Sequence, residues 1–278
     1  MKKIKISSSF GHEIMALNFA KAMNCEVVIV PNKETREEFD KESNRIYDAL
    51  ISFGVKLTKV AFDEREKIEA WDLIADLKAG QLVDEMWKVF AETQLSPVMD
   101  GQPEYPGLAG KDNLLVVPQK LFSDGQCGVT AQQQSLPLEV FYFLKNENKN
   151  LVLGQHFHKV NDLAVVTKLA EEFKMYVPGM DENPDVFGIR GVNHAKYFNM
   201  YNMLKGSIGI AGTHTWIMLT CFPEIPQIIL FNQKGVERWK AIETAFQNAG
   251  YKIFCIGFDE QTNMEELSRK VEETYYKF

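Results

Sequence analysis

Short, continuously apolar runs separated by longer stretches of helical periodicity limit most strongly what this chain can fold into. The runs are Lys3–Ser7, Glu26–Val30, Val55–Ala61, Asn113–Pro118, Leu151–Gln155, Lys174–Val177, Ile208–Ala211, Gln227–Phe231 and Lys252–Ile256. A strand with one wet face alternates apolar and polar residues. Runs that are apolar throughout read instead as strands buried on both faces of a parallel sheet. Helical patterns fill the gaps at His12–Met23, Glu34–Phe53, Asp63–Thr93 (two helices broken near Gly80), Asn161–Phe173, Ala195–Leu204, Val236–Asn248 and Asn263–Tyr276. Strand–helix alternation predicts an α/β fold with right-handed crossovers. Two stretches interrupt it: Leu95–Lys111, punctuated by Pro97, Pro103 and Pro106, and the Gly- and Gln-rich Phe122–Pro137. A chain of 278 residues has room for about two domains. The second interruption places their boundary between 137 and 138, giving units 1–137 and 138–278.

Composition removes several classes. The net charge is −7, with no long basic run, which argues against a nucleic-acid-binding protein because phosphate backbones need a basic surface. Cys25, Cys127, Cys221 and Cys255 are far apart and form no CxxC pair, as expected of reduced thiols rather than of a disulfide frame or a zinc site. No stretch approaches the roughly 20 apolar residues of a membrane span. Lys2, Lys3 and Lys5 are followed at once by polar residues and not by the apolar region of a signal peptide, so the expected location is the cytoplasm.

Ligands on open α/β sheets bind beyond the carboxyl ends of the strands, which makes three loops candidates. The first is Ser7-Ser8-Ser9-Phe10-Gly11-His12-Glu13, where small residues permit close backbone approach and His12 suits a general base near neutral pH. The second is Gly154-Gln155-His156-Phe157-His158-Lys159, a donor-rich patch fitting phosphate or sugar better than metal, since His156 and His158 have no third ligand at hand. The third runs from Gly209 through Gly212, Thr213, His214 and Thr215 into a helix. Gly212 allows close approach there, and both threonines can cap the helix or donate to phosphate oxygens. Ordinary capping and solvated loops are the plain alternatives for all three.

Taken together, these loops resemble the GT-B glycosyltransferases, and within them the ADP-heptose:lipopolysaccharide heptosyltransferases. Ser8-Ser9-Phe10-Gly11 matches that family's Ser-Ser-x-Gly-Asp turn, with His12 at the position of its proposed catalytic Asp. Lys159, ahead of a helix, matches a Lys that binds donor phosphate, and Pro178-Gly179 a Gly-containing loop. Thr213-His214-Thr215-Trp216 through Ile225-Pro226 has the layout of the family's last motif, Asp-Thr-Gly-x-x-His. Thr213 replaces its Asp, Thr215 its Gly and Met218 its His. The resemblance implies two Rossmann-like domains facing each other across a cleft. It implies an inverting sugar transfer from a nucleotide-diphosphate donor to a glycan or lipid-linked acceptor, without cofactor or metal. Peripheral contact with the inner face of a membrane is compatible with such an acceptor.

In a mechanism of this kind, Lys159 and the Thr213–Thr215 helix start stabilise the leaving diphosphate, and His12, or else Glu13, takes the acceptor proton. Arg190 is a candidate for holding base or phosphate, or for a surface ion pair. Glu224 is a candidate for accepting ribose hydroxyls, or for ending a helix. Three other readings compete: a nucleotide-sugar epimerase of the same fold, a non-catalytic nucleotide- or glycan-binding module, and a cysteine hydrolase built on Cys127 in Asp124-Gly125-Gln126-Cys127. Trp71, Trp87 and Trp239 sit on helical segments and read as core or interface.

Overall fold

The computed structural model describes residues 3–7, 10–79, 81–98, 104–117, 136–154, 171–177, 198–259 and 261–278. Among them, eight strands pair only in parallel: β1 (Lys3–Ile6), β2 (Glu26–Ile29), β3 (Leu57–Lys59), β4 (Asn113–Val117), β5 (Asn150–Leu153), β6 (Leu204–Ile210), β7 (Gln227–Asn232) and β8 (Ile253–Phe258). The α-helices of the described residues are α1 (Phe10–Met23), α2 (Arg36–Leu50), α3 (Leu73–Ala79), α4 (Asp84–Glu92), α5 (Leu138–Asn146), α6 (Phe198–Asn202), α7 (Thr213–Cys221), α8 (Val236–Asn248) and α9 (Met264–Tyr275).

Most of these helices follow local rules. At the start of α2, the Thr35 hydroxyl accepts the Glu38 N–H, and the helix buries Phe39, Ser43, Ile46, Ala49 and Leu50 along one stripe. Asn263 caps α9 by accepting from the backbone of Glu265 and Glu266, and Leu267, Val271, Thr274 and Tyr275 form its inner face. Two helices differ. In α7 every residue from His214 to Cys221 is buried, and in α1 Glu13 to Ala20 all are. A helix without a wet face has to be surrounded.

The strands form two sheets. The first has the order β1-β2-β3, and Trp71 extends it on the far side of β1. There Lys5 N–H donates to the Trp71 carbonyl at 2.8 Å and Trp71 N–H to the Lys3 carbonyl at 2.9 Å. The second has the order β5-β4-β6-β7-β8, extended beyond β5 by Tyr176. Tyr176 donates to the Leu151 carbonyl at 2.7 Å and accepts from Leu153 N–H at 2.8 Å. Counted with these extensions, the second sheet runs third, second, first, fourth, fifth, sixth in chain order. That is the order of dinucleotide-binding Rossmann sheets.

One connected core joins the two sheets. It holds Ile4, Ile6, Val27 and Ile29 from the first and Leu115, Val117, Val152, Ile229 and Phe231 from the second, with α1, α4, α7 and α8 contributing side chains to the same cluster. α1 packs directly on α7, and α4 on α8. Where they meet, three indoles stack: Trp87 lies 6.5 Å from Trp216 and Trp216 5.6 Å from Trp239, with Phe19 and Phe90 edge-on or stacked around them. Asn18, buried in α1, donates its amide to the carbonyls of Phe90 and Thr93 and ties α1 to the end of α4. A second core under the outer face of the larger sheet takes Phe141 and Leu144 of α5 and Leu267 and Val271 of α9.

The α/β class holds, and several details differ from the sequence reading. β4 lies before residue 137, yet it pairs with β5 and β6 in the second sheet. Sheet membership therefore changes between β3 and β4, on the side of the proline-rich loop. Asp63–Thr93 does hold two helices separated near residue 80, but they start later than the apolar pattern suggests. A 3-10 turn at Phe62–Lys67 leads into the sheet-extending Trp71, and only then do α3 and α4 follow. Lys174–Val177 contributes Tyr176 alone as a bridge. β6 starts four residues earlier than its apolar run, at Leu204, because Gly206, Ser207 and Gly209 are strand residues chosen for lack of bulk. A Cβ on Gly209 would sit 2.4 Å from Val117 Cβ and 2.8 Å from its backbone N and O. Among the described residues no helix is long and apolar enough to cross a membrane.

Because the clash at Gly209 involves backbone, a flexible side chain cannot relieve it. Gly209→Ala is expected to cost about 1–3 kcal/mol, the usual range for overpacking. Urea unfolding of the two proteins measures this directly, and an unchanged midpoint would contradict the close approach of β6 to β4.

Candidate functional site

Strand order determines where a parallel sheet can hold a ligand. In each sheet it reverses once, between β1 and Trp71 in the first and between β4 and β6 in the second. Crossovers on either side of a reversal leave in opposite directions and open a crevice at the carboxyl ends of those strands. The chain leaves β1 through residues 7–9 into α1, and leaves β6 through Ala211 and Gly212 into α7. Two of the three loops singled out from sequence thus sit at the two reversal points, and the helices they open pack on each other.

Glu13 belongs to the first turn of α1. Its side chain is 1% exposed and neither carboxylate oxygen has a hydrogen-bond partner. The nearest cation is Arg45 of α2, whose Nη2 stands 4.0 Å from Glu13 Oε1. That guanidinium is committed elsewhere: Nε and Nη2 bind the two oxygens of Glu42 at 2.9 and 2.8 Å. Burial, only partly offset by Arg45, pushes the Glu13 carboxyl up to about 7. Glu42, hydrogen-bonded to Arg45, is held below its ordinary value. A carboxyl that titrates near neutrality can give or take a proton under working conditions. Gly11 and His12 lie in the same first turn by backbone position.

At the start of α7 the polar groups divide. Thr213 is half-buried at the first helical position. Thr215 is buried, and its hydroxyl accepts the Gly212 N–H at 3.1 Å, so it caps the helix from inside. His214 is buried as well, and its Nδ1 is hydrogen-bonded to the Tyr201 hydroxyl of α6. Expected as ligand contacts, Thr215 and His214 instead fasten α7 to its own loop and to α6. Gly212 is extended, at φ −171°, and its α-carbon faces open space apart from the Ile210 carbonyl. Free N–H groups at this helix start can receive an anion.

Glu224 is exposed in the turn after α7, just before β7 begins. α7 carries the chain from the carboxyl rim of the sheet back to the amino rim, so Glu224 and Gly212 lie at opposite ends of a nine-residue helix. At 1.5 Å per residue that is roughly 13 Å. Glu224 is not part of the rim that Gly212 and Thr213 define.

Ser8, Ser9, Gln155, His156, His158, Lys159, Gly179 and Arg190 lie outside the described residues, as does Cys127. Burial pushes the Cys221 and Cys255 thiols up, so neither is an activated nucleophile. No group of three or more metal-ligating side chains occurs among the described residues. The depression of about 850 Å³ lined by Lys3, Met23, Cys25, Glu69, Trp71 and Met86 lies at the amino rim of the first sheet, away from the reversal points. One residue at the carboxyl rim escaped the sequence reading: Arg238, in the first turn of α8, looks like any helical surface charge when read in sequence.

No protein-family model, no curated protein and no solved structure matches this chain.

The Glu13 shift has a measurable consequence. The folded-state value, about 7, lies above the ordinary 4.5, so the folded protein holds this proton more tightly than the unfolded chain. The stability it contributes is fully present below about 4.5 and is lost as pH rises through about 7, an amount of about 3 kcal/mol. Glu13→Gln is expected to flatten the stability profile over that window. Chemical denaturation at a series of pH values reads it, and a variant with an unaltered slope would contradict the buried, unpaired carboxyl.

Proposed function

We propose that the protein transfers a sugar from a nucleotide-diphosphate donor to a hydroxyl group of a glycan or lipid-linked acceptor, with inversion at the anomeric carbon. One observation carries the reading: the two loops that resemble the GT-B motifs are the loops at which strand order reverses in the two sheets. In this reading the donor diphosphate meets the free N–H groups and dipole of α7 near Gly212 and Thr213, with Lys159 adding charge. The acceptor hydroxyl loses its proton to a base in the first turn of α1. Glu13 is one candidate for that base, since burial raises its carboxyl to about 7. His12, one position earlier, is the other candidate. Direct attack by the acceptor then displaces the diphosphate and inverts the centre.

The GT-B arrangement of two facing domains is the finer part of the proposal. The connected core closes the space between the sheets, so the ligand lies along the strand rims and not between the sheet faces.

A thermal-shift screen against UDP, GDP, ADP, CMP and dTDP, run with and without EDTA, tests the donor. A nucleotide at 100 times its Kd adds about 2.7 kcal/mol and raises Tm visibly. One strong shift, lost in Lys159→Ala, is the expected result. In a transfer assay with the matching donor, Glu13→Gln should lower kcat by about 10²–10⁴ with little change in KM. Failure of every nucleotide to bind would overturn the reading. Nucleotide binding with no turnover on any acceptor would favour a binding module.

A further inference from the structure

Arg238 stands in the first turn of α8, directly beyond the carboxyl end of β7. Its guanidinium carbon lies 5.7 Å from the centroid of the Trp239 ring, and Trp239 stacks on Trp216 of α7 and on Phe231 at the end of β7. Gly235, at the N-cap of α8, makes room for this packing. A Cβ there would stand 3.2 Å from Trp239 Cδ1 and 3.5 Å from Arg238 Nη2. The arginine is thus held between an indole and a glycine, at the rim shared by the starts of α7 and α8.

What it lacks is a counter-charge. Arg238 Nε is buried without an acceptor, and no carboxylate of the described residues is within ion-pair distance of the guanidinium. The adjacent acid, Glu237, is exposed, and consecutive residues on a helix do not face each other. The nearby Lys234 and Lys240 are exposed and add positive charge. Partial burial lowers the Arg238 pKa, as expected of a cation that has lost part of its hydration. Desolvating a guanidinium without an anion is costly, and exchanging such a group for an apolar one is often stabilising. A charge kept at that cost, on the rim where parallel sheets bind ligands, points to an anion from outside the chain.

We propose that Arg238 anchors an oxyanion site at the carboxyl rim of the second sheet, taking a phosphoryl or pyrophosphoryl group. The planar fork of a guanidinium matches two oxygens of such a group, whereas an ammonium offers a point charge. The site rests on the nucleotide reading only for the choice of a diphosphate as the natural ligand. The half-buried Arg238, unpaired among the described residues, stands without it.

The test uses the full chain and inorganic pyrophosphate as the probe, with sodium chloride at equal ionic strength as the control for general salt effects. Calorimetric titration and melting curves are recorded for the wild type, Arg238→Met and Arg238→Lys. The expected result has two parts. Pyrophosphate binds the wild type saturably, and Arg238→Met weakens it by about tenfold or more, with Arg238→Lys in between. Without anion, Arg238→Met melts no lower than the wild type, because the uncompensated charge is gone.

Absence of saturable pyrophosphate binding overturns the proposal, as does equal binding by Arg238→Met. So does a large anion-free loss of Tm in Arg238→Met that Arg238→Lys restores, which would make the arginine a packing element. If Arg238→Met does not fold, the Arg238→Lys titration decides: unchanged affinity refutes the fork, and weakened affinity supports it. The two readings separate cleanly. Pyrophosphate binding through Arg238 with no nucleotide binding keeps this site and removes the sugar transferase. Nucleotide binding undiminished in Arg238→Met does the reverse.

Discussion

The absence of a wet face on α1 and α7 is the constraint from which the rest of the structure follows. Each helix crosses over one sheet, and Glu13–Ala20 of α1 and His214–Cys221 of α7 are buried throughout, so neither can remain the outer layer of an independent α/β unit. Packing one on the other solves both problems at once. The stacked indoles of Trp87, Trp216 and Trp239, with Phe19 and Phe90, fill the junction with large side chains whose burial dominates the energetics of such contacts. Asn18 satisfies two carbonyls at the end of α4 within that apolar setting, where an unpaired carbonyl would be expensive.

That packing orders the functional elements without itself being one. Helices α1 and α7 start at the two reversals of strand order, so packing them on each other sets where both helices begin. The polar residues at the helix starts then sort by what the core demands. Thr215 and His214 are drawn inward to cap α7 and to bind Tyr201, while Thr213 and the Gly212 backbone stay toward the rim. Two charged groups are poorly satisfied: the Glu13 carboxyl, buried without a hydrogen bond and with Arg45 4.0 Å away, and the half-buried Arg238, whose Nε is buried without an acceptor. The acid yields by holding its proton up to about pH 7. An arginine has no comparable escape, since it stays charged across the working range. This difference underlies the two proposals, a proton-transfer role for the first and an anion site for the second.

Much of this was legible from residue order. The apolar runs at β1, β2, β4, β5, β7 and β8 match the strands to within one or two residues, and Val236–Asn248 is a helix from its first residue to its last. Those elements obey local rules, namely continuous apolarity, an amphipathic stripe and a polar cap. The misses occur where bulk, and not polarity, decides. Gly206, Ser207 and Gly209 do not look like strand, but β6 needs small residues where it runs against Val117 and Phe278. Trp71, read as helical, is an edge residue hydrogen-bonded to β1.

The sequence by itself determined the α/β class, the parallel strands and the loops that follow them, because continuous apolar runs and crossover geometry are properties of the local chain. Only the tertiary structure decided that the two sheets share one core, that β4 belongs with the second sheet, and that Glu224 stands on the opposite rim from Gly212. It alone left the Glu13 carboxyl without a hydrogen bond, with Arg45 4.0 Å away, and Arg238 without an ion pair among the described residues. Each of these depends on which distant residues come within a few ångströms, and a linear pattern carries no term for the charge that is missing across a fold.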